Sequence, residues 1–150
     1  METMDIVIRL CAAALAGAAL GLNRDLRGKP TGVRTLGLVG LASAAAVLAV
    51  GRGNMADASR VIQGIVTGIG FLGAGVIIRN EIGKRVHGLT TAACVWLTAC
   101  IGAACGVGEW HLIAVAVAVV FALLVLGGPF ERLIHRHWPD TGEVDADADD

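Results

Sequence analysis

Tyrosine is absent from this 150-residue sequence, and aromatic residues make up only 4% of it. Its interior must therefore be filled by aliphatic side chains and glycine, packed closely through small residues. The four cysteines all fall in apolar segments and form no CxxC pair, which argues against both a zinc site and a disulfide framework. No serine or cysteine stands with a base and a supporting carboxylate in a catalytic pattern, so the sequence predicts a protein that is not an enzyme.

Apolar residues dominate what is present. They make up 55% of the chain, which has 21 glycines and a mean hydropathy of +0.71, and a soluble domain would have too much apolar surface to hide. We predict an all-α, polytopic transmembrane helix bundle (residues 1–128) followed by a short cytoplasmic tail (129–150) that is acidic and disordered. The predicted spans are five: 4–22, 33–50, 60–79, 89–107 and 110–126.

The net charge of −1 hides an asymmetry along the chain. The last eleven residues hold six acids and no base, whereas the rest of the chain holds twelve bases and seven acids. The bases concentrate in the loops after the first and third spans and after the fifth, which predicts an outside N-terminus and a cytoplasmic C-terminus. Such a basic excess suits contact with the lipid bilayer, and nothing indicates binding to nucleic acid.

The third span, between Arg60 and Arg79, has eighteen uncharged residues and glycines at 64, 68, 70, 73 and 75. Glycine lets neighbouring helix backbones approach closely, so we expect this helix in the middle of the bundle. Gln63 and Thr67 lie one helical turn apart on it and add hydrogen-bonding groups to the close-packed surface.

Gly68, Gly70 and Gly73 also match the glycine spacing of a dinucleotide-binding turn. That motif needs a preceding strand and a later acidic residue, and both are missing, so no cofactor is predicted. The glycines instead indicate helix packing, or a local irregularity that exposes backbone carbonyls to an ion.

Charged residues inside the first span are unusual. Asp5 and Arg9 have i,i+4 spacing and share one helical face, either as an interfacial pair or as a functional element. Magnesium prefers such carboxylate ligands, but the acids near the bilayer are scattered over five regions and form no compact set, so no metal site is predicted.

Three blocks together resemble the MgtC/SapB family of bacterial inner-membrane proteins: LGLNRDLRGKPTGVRTLGLVGL, SRVIQGIVTGIGFLGAGVIIR and VHGLTTAACVWLTACIGAACGVG. The resemblance implies a multi-pass inner-membrane protein linked to magnesium homeostasis and to acid and low-magnesium stress. Asn23 and Leu36 depart from the glutamate and histidine that we expect at these places in many relatives. By position, the resemblance singles out Arg24, Lys29, Pro30, Gly32, Arg34 and Thr35, then residues 68–75, then Gly88, Thr90 and Thr91, with Asp5 and Arg9 at the charged start of the first helix.

Two functions fit these features. The first is a non-catalytic regulator whose glycine-rich helix faces bind other membrane proteins or a second copy of the chain. The alternative is a small transporter or channel for magnesium or another cation, which Asp5, Gln63, Thr67 and the glycine-interrupted helix would serve.

Overall fold

The computed structural model describes residues 2–50, 55–78 and 88–137, with side chains described up to Gly128 except those of Met55 and Ile78. Within these ranges the chain is helical, in five helices without a strand. The predicted second basic loop, at 79–87, and the tail from residue 138 onward lie outside the described residues. The helices are α1 (Thr3–Leu26), α2 (Val33–Ala49), α3 (Met55–Ile78), α4 (Leu89–Val107) and α5 (Trp110–His137).

The predicted all-α membrane bundle is confirmed. Four helices, α1, α3, α4 and α5, have the length and the apolar composition needed to cross a membrane. The fifth, α2, is an apolar helix of 17 residues, about 26 Å long at 1.5 Å per residue.

Two helices run further than the predicted spans. α1 continues through Asn23–Leu26, so Arg24 is a helical residue and the prediction that it lies in a loop is wrong. α5 continues as a helix beyond Pro129 to His137. The chain divides into two compact units, residues 1–117 and 118–150, and the packing described below belongs to the first.

The core of the first unit is formed by α1, α2 and α4, which pack against one another. Glycines make the crossings close. A Cβ atom on Gly40 of α2 would lie 2.5 Å from the carbonyl oxygen of Ala13 in α1, and one on Gly102 of α4 would collide with the backbone of Gly40. Because these contacts involve backbone atoms, the three helices can approach this closely only while both positions lack side chains.

The expectation that α3 lies in the middle of the bundle is wrong. α3 packs on α4 and touches α2 much less, and Ile69 and Gly73 are its only buried residues among those whose side chains are described. A Cβ atom on Gly64, Gly68, Gly70 or Gly75 would meet no described atom within 4 Å. Only Gly73, whose Cβ would sit 3.7 Å from the Ala92 methyl group, faces a neighbouring helix at contact distance. Four of the five glycines therefore lie on parts of the α3 surface that no described residue covers.

Candidate functional site

Two buried arginines connect α1 to α4, one at each end of this antiparallel helix pair. Arg9 has 2% of its surface exposed and Arg24 has 4%, and fifteen residues of helix separate them, about 22 Å. Arg9 reaches the C-terminal end of α4, and Arg24 reaches its first turn. Buried charge is costly in a membrane helix, so both side chains require compensating polar contacts.

Arg9 is fully engaged. Its Nε donates to Asp5 Oδ1 at 2.9 Å, and its Nη1 donates to the carbonyl oxygen of Gly106 at 2.8 Å. Gly106 lies in the last turn of α4, where carbonyl groups lack helical partners and the helix dipole favours a cation. The guanidinium carbon also sits 5.9 Å from the ring centroid of Trp110, within cation–π range.

Gly108 completes the Arg9 site. It ends α4 with φ +93°, and its N–H donates to the carbonyl oxygen of Ala104 at 2.8 Å. A Cβ atom there would collide with the guanidinium group of Arg9. The left-handed turn and the space for Arg9 therefore depend on the same glycine. The pair Asp5 and Arg9 was predicted, but its partners Gly106, Gly108 and Trp110 were missed, and the GVG that ends α4 was their only sequence signal.

Arg24 has fewer partners. Its Nη2 donates to the hydroxyl oxygen of Thr91, in the first turn of α4. Its Nε is buried and has no hydrogen-bond partner among the described residues, and the same holds for Oδ1 of the neighbouring Asn23. Thus the structure brings together two predicted residues, Arg24 and Thr91, at a site whose polar groups are only partly satisfied.

The loop between α1 and α2 is organised by Asp25. Its Oδ2 accepts a hydrogen bond from the N–H of Val33 at 3.0 Å, which caps α2. The other predicted residues of this segment, Lys29, Pro30, Arg34 and Thr35, are exposed, and Gly32 packs directly against the carboxylate of Asp25. The contact of these loop residues with lipid or with a partner protein stays a prediction.

The remaining predicted residues fall into two groups. Gln63, Thr67, Gly68, Gly70 and Gly75 are exposed on α3, and Gly73 is buried against α4. Gly88 begins α4 with φ +97°, where its Cβ would approach the Val76 carbonyl oxygen, and Thr90 beside it is exposed. Gln63 is exposed on α3, which packs on α4 and α2, whereas Arg9 bonds Asp5 of its own helix and Gly106 at the end of α4.

Among the described residues, no three or more His, Cys, Asp or Glu side chains come together in a group that would hold a metal ion. The carboxylates of Asp5 and Asp25, two of the acids weighed as magnesium ligands, are instead bonded to Arg9 and to the backbone of Val33.

A sequence profile of the MgtC family matches residues 10–133. The chain belongs to the MgtC family. SrpB of Synechococcus elongatus is 42% identical over 91% of this chain and 81% of its own length. MgtC of Salmonella typhimurium is 38% identical over 89% of this chain, and YhiD of Escherichia coli is 41% identical over 73% of it.

The coverage of these relatives is unequal. The matched part is 57% of MgtC and 54% of YhiD, so the chain corresponds to little more than half of each. No solved structure matches the fold. Family membership and the four long apolar helices together make this an MgtC-family multi-pass membrane protein.

Proposed function

We propose that this protein is a non-catalytic regulator in the bacterial inner membrane, which acts by binding other membrane proteins and serves magnesium homeostasis and the response to acid and low-magnesium stress. The observation that carries the proposal is the outer surface of α3. This helix is apolar enough to span a membrane, yet Ile69 and Gly73 are its only buried residues among those whose side chains are described.

The composition of that surface favours another helix over lipid. Gly64 and Gly68 are one turn apart and open, so the backbone of a second helix can approach α3 closely along this line. Gln63 and Thr67 are also one turn apart and exposed, on the adjacent side of α3 about 100° around the helix axis, and each can form a hydrogen bond across a helix interface. Phe71, with 84% of its surface exposed, adds a large apolar contact.

The link to magnesium rests on the relatives. The Escherichia coli relative bears the name "Putative magnesium transporter YhiD", and the aligned region covers 54% of that protein. The role in magnesium homeostasis is therefore inferred from membership of the family, and regulation is the proposed mode of action.

Crosslinking combined with growth tests the proposal. In a bacterium lacking its own MgtC-family gene, the full chain would carry a photo-crosslinking residue at Phe71, with or without the double substitution Gly64→Leu and Gly68→Leu. We expect the wild-type surface to give a discrete adduct with another membrane protein and to support growth at limiting magnesium. Leucine at both positions should abolish the adduct and the growth, because it fills the surface along which a partner helix approaches, where no described atom lies within 4 Å of an added Cβ atom.

Gly127→Leu is the matched control, since a Cβ atom there also meets nothing described within 4 Å. It should leave the adduct and the growth unchanged. An adduct with the mass of two copies would identify the α3 surface as a self-association surface. Unchanged adducts and growth in the double α3 variant would contradict the proposal.

Cation transport is the second candidate, favoured by the printed name of the Escherichia coli relative. Purified protein in sealed vesicles would be tested for flux of magnesium, potassium and protons under imposed gradients. Flux that depends on Gln63 and Thr67, two exposed polar side chains of α3, would support transport. Vesicles without flux, from a preparation that still forms the Phe71 adduct, would leave regulation as the function.

A further inference from the structure

The first turn of α4 and the end of α1 form a second polar site, distinct from the α3 surface and independent of the function proposed for it. Arg24 lies there, and only 4% of its surface is exposed. Within the described residues, the one hydrogen-bond partner of its guanidinium group is the neutral hydroxyl of Thr91. A buried guanidinium group is normally matched by an anion, because its charge is otherwise desolvated without compensation.

The nearest carboxylate in sequence is committed elsewhere. Asp25 follows Arg24 directly. Its Oδ2 accepts a hydrogen bond from the N–H of Val33, however, and its Oδ1 packs against Gly32. Neither of the two ion pairs identified among the described residues involves Arg24, since they join Asp5 to Arg9 and Asp57 to Arg60.

The helix ends add to the positive character. Arg24 points at the N-terminal end of α4, a 19-residue helix whose Gly88 cap supplies no side-chain hydrogen bond. The N–H groups of a first helical turn point outward and carry partial positive charge, which favours an anion. Arg24 also lies in the last turn of α1, and the negative end of that helix offsets only part of the charge.

Two buried polar atoms without a hydrogen-bond partner indicate a ligand. Arg24 Nε and Asn23 Oδ1 are both buried and both lack a partner among the described residues. The oxygen and nitrogen of an asparagine amide exchange places by a flip, so Asn23 can present an N–H donor to the same anion. An oxyanion would then receive hydrogen bonds from Arg24, Asn23 and the first turn of α4.

The adjacent loop suits recruitment of such an anion. The N–H groups of Arg27 and Lys29 donate to the carbonyl oxygen of Arg24 at 3.1 and 3.0 Å, which folds the basic loop back over the end of α1. Both side chains are exposed. We propose that Arg24, Asn23 and the first turn of α4 bind a phosphate-bearing anion, which is either the headgroup of an anionic phospholipid or a soluble phosphate.

Asn23→Asp gives the sharpest test, because it is isosteric and places a carboxylate of the chain itself beside Arg24. The full chain would be purified in neutral detergent, freed of lipid, and unfolded by heat with phosphatidylglycerol, phosphatidylcholine or inorganic phosphate. We expect phosphatidylglycerol to raise the unfolding midpoint of the wild-type protein by several degrees and phosphatidylcholine to have no effect. Asn23→Asp should raise the midpoint without lipid and abolish the response to phosphatidylglycerol.

Two further variants separate the site from general surface charge. Arg24→Gln should not respond to phosphatidylglycerol, whereas Arg27→Gln, which removes an exposed loop cation, should respond nearly as the wild type does. An equal response of the wild type to inorganic phosphate would identify a soluble anion as the ligand. A wild type that responds to neither anion, or an Asn23→Asp variant that responds as the wild type does, would overturn the proposal, and native mass spectrometry would count the bound headgroups independently.

Discussion

Arg9 Nη1 donates a 2.8 Å hydrogen bond to the carbonyl oxygen of Gly106, 97 residues further along the chain. This bond joins the start of α1 to the end of α4, and the Asp5 carboxylate holds the guanidinium group from the other side. A charged residue near the start of the first span is thus a packing element between two helices.

Arg9→Ala should lower the free energy of unfolding by about 3–5 kcal/mol, because it breaks a buried ion pair with Asp5 and the hydrogen bond that joins α1 to the Gly106 carbonyl oxygen. Arg60→Ala is the matched control. Arg60 also follows an aspartate by one turn, but its side chain is 81% exposed and lies 3.9 Å from Asp57, so its loss should cost less than about 1 kcal/mol. Chemical denaturation in detergent micelles measures both, and equal losses would contradict the assigned role of Arg9.

Gly108→Ala should destabilise the protein by more than the ~1–2 kcal/mol that a left-handed conformation costs an alanine. The added methyl group would also displace the Arg9 guanidinium. Gly127→Ala, in a helix with open space around it, should be neutral or stabilising by up to ~1 kcal/mol. The same denaturation measurement compares the two, and a harmless Gly108→Ala would argue against the described turn.

Gly40→Ala should cost about 1–3 kcal/mol, because its methyl group would lie 2.5 Å from the Ala13 carbonyl oxygen. Gly68→Ala should instead stabilise the isolated chain by about 0.5–1 kcal/mol through helix propensity, since no described atom lies near. Thermal unfolding of the purified protein distinguishes them. Opposite signs are expected, and a destabilising Gly68→Ala would mean that the side of α3 that carries Gly68 packs against its own chain.

Asp25→Ala should lower stability by about 1 kcal/mol, because it removes the acceptor for the first N–H of α2. Asp25→Asn keeps an acceptor oxygen and should retain most of that stability. Hydrogen exchange of the Val33 amide reports the effect locally, with faster exchange expected in the alanine variant alone. Unchanged exchange in that variant would exclude the cap.

The helices themselves followed from the sequence. Apolar stretches and the loops between them predict α4 at 89–107, as found, and the other boundaries within a few residues apart from the N-terminus of α3 and the C-terminus of α5. Composition also predicts close packing through glycine, which Gly40 and Gly102 provide. The i,i+4 spacing of Asp5 and Arg9 predicts their pair, which the structure confirms.

The positions of the helices did not follow from the sequence. Glycine allows close helix approach both where α1 meets α2 and where α3 faces outward. A glycine-rich segment therefore does not predict which helix lies at the centre of the bundle. The contacts of Arg9 with Gly106 and of Arg24 with Thr91 span 97 and 67 residues. Such pairings depend on which helices become neighbours, and local spacing does not encode that choice.

The outward-facing glycines of α3 have a consequence for natural variation. Residues of the α1, α2 and α4 core are constrained by their own chain, because a methyl group on Gly40 already meets backbone. No described atom lies within 4 Å of a Cβ atom placed on Gly64 or Gly68. If the proposed partner binds here, purifying selection on these two glycines reflects that binding, and tolerance to substitution across living strains measures how strongly the surface is used.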